Sequence, residues 1–221
     1  MTEIQQVALH KSGSYTCKEN AYQLIKTAIL NKRFIVGSEY SQDSLSRELG
    51  VSKTPLREAL LELQKDGYVA FHRGTGVKIN AITKEEAADI LEFRMCTEVY
   101  AARLAATRAT KEDLVKINTV LTQFKDELKT RNEQLLVKLD HAFHMAVVAA
   151  SHNAWFYKQC DISWENVLRF ASMSTYKNII DNSNVFKEHK AVYDALVERS
   201  VLKAERAMKQ HLANGRHRLL P

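Results

Sequence analysis

Residues 45–60 read LSRELGVSKTPLREAL and place two short helices in close succession. Ser41 is a good N-cap for the first helix, which Gly50 ends, and Ser52 is a good N-cap for the second. Pro55 lies in the first turn of the second helix, where its missing N–H costs nothing. These signals predict a helix-turn-helix, whose second helix presents its first turns to base edges in the major groove of DNA.

A short hairpin follows the second helix. Residues 68–79 read YVAFHRGTGVKI, which indicates two short β-strands around a glycine-containing turn and completes a winged helix-turn-helix. Arginine binds a guanine edge bidentately, serine and threonine reach a base or a phosphate, and arginine favours a narrow minor groove. The predicted DNA contacts are therefore the polar residues that begin the second helix and those at the hairpin tip: Ser52, Lys53, Thr54, Arg57, Arg73 and Gly74.

The composition agrees with a helical, DNA-binding protein. Only 7 Gly and 2 Pro occur in 221 residues, too few for a β-sandwich or barrel with many tight turns. The net charge of +6 permits contact with phosphate backbones. Cys17, Cys96 and Cys160 are isolated, which argues against a disulfide scaffold or a cysteine-rich zinc site. The best apolar run, residues 145–150, is far short of the ~20 residues that cross a bilayer. We expect a cytoplasmic protein without membrane contact.

The pattern of apolar residues changes after residue 80. Apolar residues recur with helical spacing in long stretches, at residues 83–109, 111–130, 132–152, 154–177 and 184–217. The predicted fold is mainly α. Residues 1–80 form the winged helix-turn-helix, with residues 1–17 as a loose arm, and residues 81–221 form an antiparallel helical bundle.

Three histidines and one carboxylate lie on the apolar faces of these predicted helices. Asp140 and His144 are one turn apart on one face, and His189 and His211 each interrupt an apolar stripe further on. Any one such histidine is more often a hydrogen-bonded core residue. Together, however, the four buried polar groups need partners, and a divalent cation satisfies them all. Three imidazoles and a carboxylate suit Zn²⁺ first, and also Ni²⁺, Mn²⁺ or Fe²⁺.

The N-terminal residues resemble the DNA-binding domain of the GntR family of bacterial transcription regulators. The resemblance covers residues 19–79 and rests on residues 45–60 with Leu63, Gly67-Tyr68-Val69 and Arg73-Gly74-x-Gly76-Val77. It implies that Lys53, Thr54 and Arg57 face the major groove and that Arg73 and Gly74 reach the minor groove. This sequence departs from the family in two of its charged positions. Lys53 is frequently arginine there, and some members place a phosphate-contacting arginine at Asp43.

The remainder resembles the ligand-binding domain of the FadR subfamily, in its metal-binding branch with an FCD-type domain. The matching motifs are Glu92-x-Arg94-x-x-x-Glu98, Asp140-x-x-x-His144, Ser151-x-Asn153, Glu188-His189 and His211-Leu212. The resemblance implies that Asp140, His144, His189 and His211 hold the metal and that a small carboxylate effector completes its coordination. Arg94 and Arg169 are candidate counter-charges for that effector. The alternative for Arg94 is an ion pair with Glu98, four residues further on.

Both parts together predict a transcriptional regulator that binds a palindromic operator and is modulated by a small organic acid. A homodimer is expected, because one recognition helix reads only a few base pairs. Two alternatives stay open at this point: a metal-dependent hydrolase, in which the metal activates water, and a regulator with a purely structural metal. We expect no enzyme, because no separate general base accompanies the histidines on their stripes.

Overall fold

A computed structural model describes residues 16–72, 76–130, 132–173 and 182–220. The chain divides into two compact units, Met1–Ile82 and Thr83–Pro221. The predicted mainly α fold is confirmed, with a small sheet confined to the N-terminal unit among the described residues. Within those residues, no helix combines the length and the apolar character that a membrane span requires.

The N-terminal unit holds three helices and three short antiparallel strands in the described part of the chain. The helices are α1 (Cys17–Leu30), α2 (Gln42–Leu49) and α3 (Lys53–Lys65). The strands are β1 (Glu39–Tyr40), β2 (Val69–His72) and β3 (Gly76–Ile79), in the sheet order β1-β3-β2. Apolar residues from all three helices and from β2 and β3 form one buried core.

Helix α1 begins earlier than the sequence predicts. Thr16 and Glu19 form a capping box, in which Thr16 Oγ1 accepts from the Glu19 N–H at 3.2 Å and Glu19 Oε2 accepts from the Thr16 N–H at 2.7 Å. These reciprocal bonds satisfy backbone donors at the helix start. The predicted loose arm of residues 1–17 is therefore wrong at its end, since Cys17 is helical. Residues 1–15 lie outside the described residues.

The helix-turn-helix follows the predicted signals with one exception. Ser41 caps α2 by accepting from the Ser44 N–H at 3.0 Å, and Gly50 ends that helix in the left-handed conformation, at φ 67°. Ser52 occupies the N-cap position of α3, but its hydroxyl makes no capping hydrogen bond. Buried leucines and alanine on one side of α3 leave the opposite side of the helix to solvent.

The sheet contains a strand that the sequence analysis did not predict. Strand β1 has two residues, too few to show an alternating pattern, and it pairs Tyr40 with Val77. Gly76 is required where β3 approaches this strand, because a Cβ there would lie 2.3 Å from the Tyr40 carbonyl oxygen. The contact of β1 with β3 is thus made through the backbone, and apolar periodicity does not reveal it.

Every secondary-structure element in the described residues of the C-terminal unit is a helix. Its helices are α4 (Lys84–Arg108), α5 (Lys111–Thr130), α6 (Glu133–Ala149), α7 (Ala154–Met173), α8 (Asn182–Val197) and α9 (Val201–Leu219). Residues 184–217 form two helices, because Arg199 takes a positive φ of 57° and Ser200 caps α9. The predicted end of the helix at 154–177 lies outside the described residues.

Small residues let the helices of this unit approach α4 closely. Ala102, Ala105 and Ala106 of α4 are fully buried in the largest core cluster of the unit. Helix α4 packs against α7 and α9, while α6 packs against α5 and α7. Helix α8 packs against α9 and α5. All the predicted metal ligands lie on α6, α8 and α9.

Candidate metal centre and nucleic-acid interface

Four predicted ligands from three helices converge in the C-terminal unit. Asp140 and His144 come from α6, His189 from α8 and His211 from α9, and one ligand atom of each lies within 4.8 Å of the others. A zinc ion bound at about 2.0–2.1 Å to nitrogen separates its ligand atoms by roughly 3.4 Å in a tetrahedron. The four groups therefore lie close enough together for a single divalent cation to bind them after small shifts of their side chains.

Two of the imidazoles contact a carboxylate at Nδ1, the ring nitrogen that faces away from the other ligands. His144 Nδ1 lies 2.5 Å from Glu98 Oε2, and His211 Nδ1 lies 2.7 Å from Glu188 Oε2. Burial raises the pKa of both carboxyls. Arg94 and His144 outweigh this effect at Glu98, and His211 and Arg218 outweigh it at Glu188, so both have a pKa of about 2. An ionised carboxylate only accepts hydrogen bonds, so each imidazole donates from Nδ1.

The opposite ring nitrogens of these two histidines face each other. His144 Nε2 and His211 Nε2 lie 2.9 Å apart. Burial lowers the pKa of both imidazoles, which favours the neutral form. With hydrogen on Nδ1, each neutral ring presents a lone pair at Nε2, and two lone pairs at this distance repel each other. A cation between the two atoms would turn this repulsion into coordination.

The other two ligands are also poorly satisfied by protein groups. His189 Nε2 lies 3.1 Å from Asp140 Oδ1, but the two are not aligned as a hydrogen bond. Within the described residues, neither these two atoms nor His189 Nδ1 has a hydrogen-bond partner, although all three are buried. Burial raises the pKa of Asp140, but the nearby imidazoles, first His189, outweigh it and lower that pKa, so the side chain is a carboxylate. Orphaned buried donors and acceptors with this chemistry fit a metal ion.

Arg94, a predicted effector residue, lies beside the centre in an ion pair. Its Nε donates to Glu98 Oε1 at 2.5 Å, and the Trp164 ring covers its guanidinium face at 3.8 Å. The ion pair that the sequence left as an alternative is therefore present. A role of Arg94 as counter-charge for an effector stays a prediction. Arg169, the other candidate, is buried on α7 and donates from Nη1 to Asn166 Oδ1 at 3.0 Å.

Three further residues around the ligands were not predicted as part of the site. Glu98 appeared only as an ion-pair partner of Arg94, and Glu188 only as a neighbour of His189 in a motif. Trp164 was not singled out. Its ring centroid lies 4.9 Å from that of His144, and its buried Nε1 has no acceptor in the described part of the chain. Buried charges at Glu98 and Glu188 could be suspected from their helical positions, but their partners come from other helices.

The predicted DNA contacts of α3 are exposed. Ser52 precedes this helix, Lys53 and Thr54 begin it, Arg57 follows one turn on, and all four side chains face solvent. Lys53 also makes an ion pair that the sequence did not reveal, with its Nζ 2.8 Å from Asp43 Oδ1 on α2. The two remaining predicted contacts, Arg73 and Gly74, lie outside the described residues.

An exposed, partly basic helix in a helix-turn-helix, followed by a separate helical unit, defines a class of protein, the helix-turn-helix transcriptional regulators with a helical C-terminal domain. Family models agree with this architecture. The model of bacterial regulatory proteins of the gntR family matches residues 17–79, and that of the FCD domain matches residues 89–214. The chain belongs to the GntR family of transcriptional regulators, in the group that carries an FCD domain.

Curated relatives cover nearly the whole chain. The Uxu operon transcriptional regulator of Escherichia coli is 28% identical, over 94% of this chain and 90% of its own. YdhC of Bacillus subtilis, an HTH-type transcriptional regulator, is 25% identical, over 89% and 86%. Among solved structures, E. coli McbR/YncC has a TM-score of 0.79 at 16% identity, covering 93% of this chain and 97% of its own. This structural likeness supports the fold alone.

Proposed function

We propose that this regulator binds a palindromic operator as a homodimer and that a small organic acid, bound at a metal in the C-terminal unit, modulates this binding. In this proposal, residues 1–80 read DNA, and residues 81–221 bind the effector and the partner subunit in the cytoplasm. The observation that carries it is the convergence of Asp140, His144, His189 and His211 on one point in a chain that also presents a recognition helix.

The metal would be held by these four side chains, with Zn²⁺ the first candidate and Ni²⁺, Mn²⁺ or Fe²⁺ also suited to the donor set. A bound divalent cation supplies positive charge and coordination positions for an anionic ligand. The three neutral imidazoles and the single Asp140 carboxylate leave such a centre with a net charge of about +1. A carboxylate ligand is thereby favoured, and Arg94 and Arg169 are the proposed additional counter-charges.

The DNA-binding side of the proposal rests on four exposed residues. Lys53, Thr54 and Arg57 would contact base edges or phosphates in the major groove, with Ser52 at the helix start. Arg73 and Gly74 would extend the contact into the minor groove. Effector binding would favour one arrangement of the two recognition helices over another, and this differential affinity would shift operator binding.

Selection of genomic fragments by the purified protein tests this function. At near-physiological salt, we expect enrichment of a short palindrome, and the neighbouring genes would supply candidate effectors. Weak, salt-sensitive binding to all fragments would contradict sequence-specific regulation. Candidate acids are then added to the selected DNA complex, with and without a chelator.

The two alternatives predict other outcomes, each with its own measurement. A purely structural metal predicts that chelation lowers thermal stability while effector affinity stays unchanged. A metal-dependent hydrolase predicts steady turnover of a carboxylate ester or lactone that His189→Ala abolishes. Dependence of effector affinity on the metal, without turnover, supports the proposed regulator.

A further inference from the structure

Two series of hydrogen-bonded side chains lead to the proposed metal centre. Each ends at the Nδ1 atom of one of its histidines. In the first, the Glu98 carboxylate accepts hydrogen bonds from Arg94 and from His144. In the second, the Glu188 carboxylate accepts hydrogen bonds from Arg218 and from His211. The third histidine, His189, has no such carboxylate in the described residues.

We propose that Glu188, clamped by Arg218 and Asn214, is a positioning residue that orients His211 toward the metal. The inference rests on the proposed metal centre. It adds Glu188, Asn214 and Arg218, none of which supplies an atom that would bind the metal. Arg218 would act through Glu188, and Glu188 through His211.

The contacts of Glu188 use both of its carboxylate oxygens. Oε2 accepts from His211 Nδ1 at 2.7 Å and from Arg218 Nη2 at 2.9 Å. Oε1 accepts from Asn214 Nδ2 at 2.7 Å and from Arg218 Nη1 at 3.1 Å. A bidentate arginine contact fixes the plane of a carboxylate as well as its position. Glu188 is therefore held in one orientation before any metal binds.

This arrangement follows from helix geometry. His211, Asn214 and Arg218 are spaced by three and four residues on α9, so they lie on one face of that helix. Glu188 reaches this face from α8, where the next residue is the ligand His189. One short segment of α8 thus supplies a metal ligand and the support of a second ligand on a neighbouring helix.

Fixing Nδ1 decides what His211 offers to a cation. The Glu188 carboxylate keeps the hydrogen on Nδ1, so the Nε2 lone pair stays directed toward His144 Nε2 and the ligand cluster. Without Glu188, the imidazole could place its hydrogen on Nε2 or rotate, and both changes oppose coordination. Loss of such an outer carboxylate lowers metal affinity by roughly 10–100-fold in other metal sites.

The pair of Arg218 and Glu188 is better suited to mutation than the pair of Arg94 and Glu98. Arg94 and Glu98 are buried, so removing either one leaves an uncompensated charge in the core. The side chains of Arg218 and Glu188 retain 19% and 15% exposure, which lets water replace the lost contacts. Arg216, two residues away and exposed, provides a control with the same change of charge.

The test measures Zn²⁺ affinity of the full-length protein by competition with a chromogenic chelator. We expect Glu188→Ala to weaken Zn²⁺ binding by about 10–100-fold. Arg218→Ala should weaken it less, Arg218→Lys should restore part of the loss, and Arg216→Ala should leave it unchanged. Lysine keeps the charge but lacks the planar fork, so only partial rescue is expected.

Two further readouts separate positioning from a general loss of stability. The melting temperature of the metal-free variants should stay near that of the metal-free wild type, whereas the rise on adding Zn²⁺ should shrink. Visible spectra of the Co²⁺-loaded protein should change in Glu188→Ala and not in Arg216→Ala. Equal Zn²⁺ affinity of wild type and Glu188→Ala would overturn the inference alone. Failure of the wild type to bind any of Zn²⁺, Ni²⁺, Mn²⁺ and Fe²⁺ would overturn the proposed metal centre with it.

Discussion

His144 Nε2 and His211 Nε2 lie 2.9 Å apart, and the Nδ1 atom on the other side of each ring contacts a carboxylate. The two rings are therefore oriented before any ion arrives. A polar cluster that served only as a hydrogen-bonded core would pair a donor with an acceptor across this distance. The pairing of two acceptors favours a centre built for a cation.

Replacing His144 by alanine should remove the metal. Its imidazole is one of the four proposed ligands, and its Nε2 lies 2.9 Å from His211 Nε2, so its loss would remove one coordinating atom from the centre. We expect metal content, measured by elemental analysis of the purified protein, to fall from about one ion per chain to near zero. His152→Ala is the matched control, because His152 is an exposed histidine paired with Asp113. Metal retained by His144→Ala would contradict the ligand assignment.

Metal removal should lower the stability of the C-terminal unit. An ion that binds only the folded state stabilises it by about 2.7 kcal/mol when its concentration is 100 times its dissociation constant. Thermal unfolding of the wild type with and without a chelator measures this effect. The same chelator should hardly change the melting temperature of His144→Ala, and an equal drop in that variant would point to an effect unrelated to the centre.

Arg57→Ala should weaken operator binding by about 1–3 kcal/mol if Arg57 reads a base. Arg57 is exposed in the second turn of α3, on the same side as Lys53. Lys65→Ala, in the last turn of α3, removes an equal charge away from the helix start and should have a much smaller effect. Titrations on the selected operator and on random DNA distinguish the contacts, since an equal loss on both would mean that Arg57 binds a phosphate.

Asp43→Ala should strengthen DNA binding and steepen its salt dependence. Asp43 holds Lys53 at 2.8 Å and places a negative charge beside the start of the recognition helix. Its removal frees Lys53 for DNA, so the slope of log affinity against log salt should steepen by about one. Glu62→Ala removes the same charge from the ion pair with Lys18 and serves as the control. An unchanged slope in Asp43→Ala would show that Lys53 does not contact phosphate when released.

Cys160 should resist thiol reagents in the folded protein. Burial raises the pKa of its thiol to about 11, so little thiolate is present at neutral pH. Cys17 and Cys96 are exposed. A colorimetric disulfide reagent should therefore label two thiols quickly and the third only after unfolding. Cys160→Ser should show two thiols in both states, and rapid labelling of three thiols in the folded wild type would contradict the burial of Cys160.

Local signals in the sequence determined the secondary structure and the order of the two units. Ser41, Gly50 and the leucine stripe of α3 act within a few residues of the chain, so the helix-turn-helix could be predicted from them. The capping box Thr16-x-x-Glu19 that starts α1 is also a local signal, and it was overlooked in the sequence. The short strand β1 could not be predicted, because it depends on backbone contact with a distant strand.

The sequence by itself also determined which residues are unusual, because Asp140, His144, His189 and His211 interrupt apolar stripes. Only the tertiary structure decided that they meet and which groups support them. Glu188 reaches His211 from a different helix, and Asp43 reaches Lys53 in the same way. Helical periodicity assigns a side chain to a face of its own helix, whereas the partner of that face depends on how the helices pack.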